Sequence, residues 1–180
     1  MINETIRVPE AEFDPDSPDE QPVAALQSLI QRLENEVDAL HLKSFSQADA
    51  LALGLMLVDL ATQRNLPIAI DIRRNDHVLF HVSLPGATPD TDIWVQRKSR
   101  TTERYAESSL LVGLKGRLGG GRLEDNGWFD ETHFASHGGA FPIYVKDTGH
   151  VATATVSGLP QKADHDLVVE VLTTFRGLSR

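Results

Sequence analysis

The spacing of apolar residues predicts two helices in the first third of the chain. Between residues 23 and 42, leucine, isoleucine and valine recur every three or four positions, which is the period of an amphipathic helix. A second helix is predicted from a capping box at residues 46–49, with Asp49 where Glu or Gln is commoner, to about Arg64. Two apolar rows run along this second helix, so we expect it to be buried over a wide face.

Alternating apolar and polar positions predict a β-hairpin in the middle of the chain. Isoleucines alternate with other residues over 68–73, and a second alternating run follows at 78–82. The residues between the two runs, 74–76, are typical of a turn. An apolar face shared by both strands favours a three-residue loop that pairs Ile72 with Val78.

The remaining pattern predicts three more helices and a second hairpin. Helices are predicted at residues 91–108, 130–137 and 160–176, and strands at 141–147 and 150–157. An apolar run at 110–114 continues into a glycine-rich segment, 116–121, which we interpret as a loop. Regular β-α-β alternation is missing, so we predict an α/β protein of the α+β type. Its mostly antiparallel sheet of about five strands would be flanked by helices in three layers.

Composition indicates one globular domain without cysteine chemistry. The chain has 180 residues, 41% hydrophobic, and no cysteine, which excludes disulfides and thiolate ligands. No signal-peptide pattern or bilayer-length apolar run occurs, which predicts a cytoplasmic protein with no membrane partner. The net charge of −9 argues against a nucleic-acid partner, because general affinity for nucleic acid needs a basic surface.

Acidic residues concentrate at the N-terminus. Residues 1–22 hold seven of the 26 acidic residues and only one of the 17 basic ones, with several prolines. We predict a flexible acidic arm over residues 1–22 and a single domain over residues 23–180. A tail that binds a partner is the alternative interpretation of the same segment.

Several motifs together resemble a known family. They lie at residues 70–75, 79–81, 84–90, 94–99, 137–143 and 156–165. Over about residues 40–176 the sequence resembles the heme-degrading-domain family, which includes the GlcG-like and HbpS-like proteins, and within it a branch of small microbial proteins. The resemblance implies a profilin-like antiparallel sheet and a homo-oligomer. Heme is a candidate cofactor, because some members of the wider family bind it.

One position departs from this branch. Its members tend to have His-Ser-Ser after the basic helix, where this chain has Glu107-Ser108-Ser109. A carboxylate cannot act as a neutral nitrogen ligand in place of imidazole. Any role that relatives carry through that histidine therefore does not transfer to Glu107.

The helix predicted at 91–108 carries a cationic stripe. Arg97, Arg100 and Arg104 are spaced to share one face, and Lys98 lies beside them. A guanidinium group binds two oxygens of a carboxylate or phosphate at once, so the stripe is a candidate site for a small anionic ligand such as a heme propionate. Alternatively, the arginines pair with nearby acids or cross a subunit interface. Arg73, beside the first hairpin turn, either extends this site or lies on a solvated turn.

Histidines next to glycines complete the candidate site. His137 precedes Gly138 and Gly139, where a ligand can approach the backbone closely, although a helix C-cap explains the same residues. His165 lies in the first turn of the last helix, where an anion can bind, although a surface histidine is the alternative. His133 and His137 are spaced i, i+4 on the helix predicted at 130–137, which makes them a weak metal candidate. We nevertheless expect no metal site, because two histidines alone leave the coordination incomplete.

The sequence therefore supports three hypotheses. The leading one is a heme-degrading-domain-like protein that binds a small anionic ligand, heme among the candidates, where the cationic stripe meets His137 and His165. The second is a non-catalytic oligomeric scaffold, and the third is a small-molecule enzyme unrelated to heme. No nucleophile elbow, Walker loop or dinucleotide fingerprint assigns a reaction.

Overall fold

The computed structural model describes residues 12–178, which form five helices and one four-stranded sheet. In chain order the elements are α1 (Val23–Ala39), α2 (Gln47–Gln63), β1 (Ala69–Arg74), β2 (His77–Ser83), α3 (Pro89–Tyr105), α4 (Ser109–Leu118), β3 (Ala140–Val145), β4 (Gly149–Ser157) and α5 (Gln161–Leu178). The sheet order is β2-β1-β4-β3, and every neighbouring pair is antiparallel. The predicted α+β architecture is confirmed, with four strands in the described residues rather than five.

The two faces of the sheet differ in polarity. Helices α2 and α5 pack on one face and α3 on the other, which gives the predicted three layers. Side chains alternate along each strand, so Ile70 and Ile72 join the apolar core beneath α2 and α5. Asp71, Thr153 and Thr155 are buried on the opposite face, where Thr155 shares a hydrogen bond with Ser99 of α3. Polar chemistry therefore lies between the sheet and α3.

The first hairpin has a different register from the predicted one. Ile72 pairs with Phe80, not with Val78, so the predicted pairing was wrong. The loop contains two residues, with Asn75 in the left-handed region at φ 50°. The register then shifts by one residue, which places Leu79 in a bulge. The bulge has the effect that we expected from a three-residue loop, because it keeps the isoleucines of β1 opposite apolar residues of β2.

Two other segments differ from prediction. The helix predicted at 130–137 does not form: residues 130–134 form a hydrogen-bonded turn and residues 135–137 are irregular. The Asp130 side chain accepts the Thr132 backbone N–H and so favours the turn over a helix. Residues 110–114 belong to α4, a helix that extends into the segment we interpreted as a loop. None of the helices within residues 12–178 is long and apolar enough to span a bilayer.

The described half of the acidic arm packs on the body of the protein. Phe13 is only 8% exposed and joins a small core formed by α1 and α4. The Asp16 carboxylate accepts backbone N–H groups of Gln161 at 3.0 Å and Lys162 at 3.1 Å, at the start of α5. A flexible arm therefore does not describe residues 12–22. Residues 1–11 of the predicted arm lie outside the described residues.

Candidate functional site around Trp94 and His137

Helix α3 positions the side chains of the candidate site. Thr88 and Thr91 form a reciprocal capping box at its start, Pro89 occupies the first turn, and Asp90 complements the positive end of the helix dipole. The helix ends at Ala106, which adopts a left-handed conformation at φ 54°. Because α3 crosses β4, β3 and β1, one side of the helix is buried and the other borders a cleft.

Two neighbouring hollows share Trp94 and His137. One has a volume of about 390 Å³ and lies between α3, the 137–139 loop and the start of α5, with Lys98 in its wall. The other has a volume of about 600 Å³ and includes Arg97, Arg122 and Glu124. Concave sites of this size hold small molecules and cofactors. We call the pair of hollows the Trp94–His137 cleft.

His137 offers an uncommitted nitrogen at this cleft. Its ring packs edge-on against Trp94, with the ring centroids 5.2 Å apart. Its Nδ1 atom is buried and has no hydrogen-bond partner, and the nearest carboxylate oxygen, Glu124 Oε1, is 3.8 Å away. That oxygen already accepts hydrogen bonds from the Ser136 backbone N–H and hydroxyl. Burial lowers the pKa of His137 more than Glu124 raises it, so the imidazole is neutral at pH 7.

Arg97 brings a positive charge to the same cleft. Its guanidinium carbon lies 4.3 Å from the centre of the Trp94 ring, within the range of a cation–π contact. Its Nε atom is buried without a hydrogen-bond partner. Among residues 12–178, no carboxylate lies within 4 Å of the Arg97 guanidinium. The charge is held in place by an aromatic face and remains available to an anionic group.

Lys98 borders the cleft, but its charge is directed into the protein. The side chain is almost fully buried, and Nζ donates to Asp164 Oδ2 at 2.8 Å and to the Val156 carbonyl at 3.4 Å. The other Asp164 oxygen accepts the Leu159 backbone N–H. Burial lowers the pKa of Lys98 and raises the pKa of Asp164 to about 6. The pair therefore links α3 to α5 beneath the cleft.

The two glycines after His137 are required by close backbone packing. Gly139 has φ 130°, a conformation that L side chains rarely adopt. A Cβ atom at Gly138 would overlap the Gln161 carbonyl, and the Gly138 N–H donates to the Gln161 side chain. The glycines thus let the loop approach the start of α5, and this approach places His137 at the cleft.

Three of the predicted arginines lie elsewhere. Arg100 donates to the His133 carbonyl at 3.4 Å. Arg104 lies over an aromatic cluster formed by Tyr105, Trp128 and Phe134. Arg73 forms two hydrogen bonds with the buried carboxylate of Asp71. The structure therefore brings only Arg97 and Lys98 of the predicted cationic stripe to the cleft.

The other predicted histidines are also separate from the cleft. His165 is 1% exposed, and its Nε2 lies 3.1 Å from Glu36 Oε2. His133 is exposed, and its Nδ1 lies 2.9 Å from Asp130 Oδ2. Among the described residues, no group of three or more His, Asp or Glu side chains could hold a metal ion. The i, i+4 argument for His133 and His137 also fails, since that segment is not helical.

Sequence reasoning missed three contributors to the site. Trp94 begins one of the family motifs, but it was not among the predicted site residues, and it lines both hollows. Asp164 belongs to a quoted motif, but no signal in the sequence linked it to Lys98, 66 residues away. Gln161 bridges the Gly138 loop and the Pro15 carbonyl of the arm. These contacts join distant segments, so local patterns do not reveal them.

Comparison with known proteins agrees with the resemblance seen in the sequence. Residues 45–173 match the family described as haem degrading protein HbpS-like. A UPF0303 protein of Streptomyces avermitilis is 49% identical over 152 residues, which cover 84% of this chain and 93% of the relative. A UPF0303 protein of Rhizobium etli is 46% identical, over 79% of this chain and 87% of the relative.

Solved structures agree with the fold. The crystal structure of Ybr137w protein superposes with a TM-score of 0.76 at 33% identity, covering 83% of this chain and 88% of that one. A structure described as a PduOC:heme complex shares the fold at 16% identity, with a TM-score of 0.62 over 72% of this chain and 94% of that one. The chain therefore belongs to the haem degrading protein HbpS-like family.

Proposed function

We propose that the protein binds a small, planar, anionic cofactor in the Trp94–His137 cleft, with heme as the first candidate. The observation that carries this proposal is that His137 lines both hollows and has a buried Nδ1 with no hydrogen-bond partner. Burial lowers the pKa of its ring, which favours the neutral imidazole. A neutral imidazole nitrogen binds iron and also accepts hydrogen bonds. Heme is the first candidate because the family and one structural neighbour are described by it.

The side chains at the cleft fit the parts of such a ligand. His137 supplies a nitrogen, Trp94 supplies a flat apolar wall, and Arg97 supplies a fork that matches a propionate carboxylate. Heme, when bound, would supply an iron centre capable of binding oxygen and exchanging electrons. The protein's own contribution is to hold the ligand between α3 and the 137–139 loop.

Glu107 has no place in this proposal. Its carboxylate accepts a hydrogen bond from Lys115 Nζ at 2.7 Å, and Lys115 also pairs with Glu34 of α1. Glu107 therefore helps to join α4 to α1, and it lines neither hollow of the cleft.

The test is a titration of the purified protein with hemin, followed by the Soret band. We expect a shifted band that is lost in His137→Ala and retained in His133→Ala, a matched exposed histidine. Arg97→Ala should weaken binding by about tenfold, the effect of losing one charge-assisted hydrogen bond. A wild-type spectrum identical to that of free hemin would exclude heme as the ligand. An equal loss of the shifted Soret band in both histidine variants would exclude His137 as the group that binds it.

Association of the protein with itself is a second proposal, supported by an exposed apolar region beside an edge strand. β2 is an edge of the sheet, and α2 packs next to it. Leu51 and Leu55, one turn apart on α2, are 52% and 54% exposed. Such a region suits a second copy of the chain. Light scattering should report an oligomer that Leu51→Glu with Leu55→Glu dissociates. A wild-type monomer at all concentrations would contradict this proposal.

An enzyme unrelated to heme is a third candidate, favoured by the Lys98–Asp164 pair. Lys98 is the member of the pair that borders the cleft, and Asp164 holds it from below. Burial lowers the pKa of Lys98 toward the range in which proton transfer is efficient. Native mass spectrometry of the isolated protein would support this candidate by finding a bound small molecule other than heme. A ligand whose retention is unchanged in Asp164→Asn would count against it.

A further inference from the structure

A third hollow, of about 260 Å³, has a lining whose charged side chains are all basic. It lies where the segment after α1 meets the end of α5, and its polar lining comes from His41, Lys43, Lys146, Thr173 and Arg176. No acidic side chain lines it, although the chain as a whole has a net charge of −9. It shares no lining residue with the Trp94–His137 cleft.

The backbone holds these cations together from three separate segments. The Leu42 N–H donates to the Tyr144 carbonyl at 2.8 Å, and the Lys146 N–H donates to the Leu42 carbonyl at 3.0 Å. These two hydrogen bonds place the backbone of Lys43 next to that of Lys146. The His41 ring stacks on Tyr144, with the ring centroids 5.0 Å apart and the planes 17° apart. Arg176 arrives from the last turn of α5.

The cations of this hollow form no ion pair with the described residues. Among residues 12–178, no carboxylate lies within 4 Å of Lys43, Lys146 or Arg176. The negative end of the α5 helix dipole stabilises the charge of Arg176, which lies in the last turn, but not those of Lys43 and Lys146. Lys43 and Lys146 come from other segments, and like charges gathered around one hollow repel one another. A bound anion would relieve that repulsion.

We propose that this hollow binds a small, multiply charged anion of the phosphate class. Phosphoryl oxygens suit this hollow because each can accept hydrogen bonds from an ammonium or a guanidinium group. One phosphate group could therefore contact several of the cations at once. Free phosphate and a phosphate ester share this chemistry. The proposal is independent of heme, since it uses none of the residues of the Trp94–His137 cleft.

Calorimetric titration of the full-length protein with inorganic pyrophosphate at low ionic strength tests the proposal. We expect saturable binding that Lys146→Ala weakens by about tenfold and that added salt weakens further. Lys162→Ala is the matched control, because it removes the same charge from a half-buried lysine outside the hollow. Lys146 is exposed, so an unchanged melting temperature should show that its variant is folded.

Two results would overturn the proposal. One is the absence of pyrophosphate binding by the wild-type protein at low salt, and the other is an equal loss in Lys146→Ala and Lys162→Ala. Parallel titrations with orthophosphate and glycerol phosphate distinguish the two sources of the phosphoryl group, because the ester should bind more tightly only if the hollow also contacts its organic part. Amide shifts in NMR spectra should cluster at residues 41–43, 146 and 173–177.

Discussion

Asp164→Asn should destabilise the protein strongly, because Lys98 would remain buried without a charged partner. Lys98 is 3% exposed, and its only acceptors in the described structure are Asp164 Oδ2 at 2.8 Å and the Val156 carbonyl at 3.4 Å. Breaking a buried ion pair costs ~3–5 kcal/mol. We expect the lower end, about 3 kcal/mol, because Lys98 borders a hollow and can also lose its proton, its pKa being lowered by burial.

Urea unfolding at pH 7 measures this loss. With a slope of about 2 kcal/mol per molar urea, a loss of about 3 kcal/mol lowers the midpoint by roughly 1.5 M. Asp166→Asn is the matched control, because its carboxylate is exposed and its ion pair with Lys162 should contribute less than about 1 kcal/mol. Adding Lys98→Met to Asp164→Asn should recover roughly 2 kcal/mol, since the double variant leaves no buried charge.

The reasoning fails if Asp164→Asn and Asp166→Asn lower the midpoint equally. That result would mean that water reaches the Lys98 ammonium through the cleft and that the pair is not a structural link. It also fails if Lys98→Met brings no recovery, because the cost of Asp164→Asn would then lie in other contacts of Asp164. The double-mutant cycle therefore separates the pair from its surroundings.

Three further perturbations have defined outcomes. Phe13→Ala should lower the free energy of unfolding by about 3 kcal/mol, measured by urea titration, because its ring fills a small core; a loss under about 1 kcal/mol would mean that the arm is detached. Asp16→Ala should cost about 1 kcal/mol, as the loss of a helix cap does, and should speed proteolysis within residues 12–22; an unchanged cleavage rate would contradict the contact with α5. Burial lowers the pKa of His137 below its usual 6.5, so the unfolded chain binds this proton first as the pH falls. His137 therefore does not lower the free energy of unfolding above pH 6.5, but it lowers that free energy increasingly as the pH falls below 6.5. In His137→Gln the urea midpoint should fall less steeply with decreasing pH than in the wild-type protein. An identical pH dependence in both proteins would contradict the assignment.

Local patterns predicted four of the five helices and all four strands, but they missed α4 and predicted a helix at 130–137 that does not form. The capping box at Ser46 and the alternation in β1 are local signals, and the structure confirms both of them. The register of the first hairpin depends on a distant contact, because the Phe80 ring packs directly on Gly54 of α2, where any side chain would overlap it. The loop sequence alone cannot report this contact, so the bulge at Leu79 was not predictable.

The sequence predicted the types of residue that form the candidate site, but not which individual residues come together there. Arg97 and His137 were found because charged and glycine-flanked residues indicate binding sites, and both line the cleft. His165 satisfied a similar rule, yet it is buried against Glu36 of α1. Arg104 shares a helix face with Arg97 but meets an aromatic cluster formed by residues about 25–30 positions away. Which charges face a ligand depends on the segments that pack over them, and those segments are distant in sequence.

The most direct test of a planar anionic ligand at His137 is native mass spectrometry of the protein isolated from its own cells, with no ligand added. The account predicts an extra mass of one heme-sized ligand per chain, kept in His133→Ala and absent in His137→Ala. A bare chain mass in the wild-type protein from heme-replete cells, or a ligand retained equally by both variants, would contradict it.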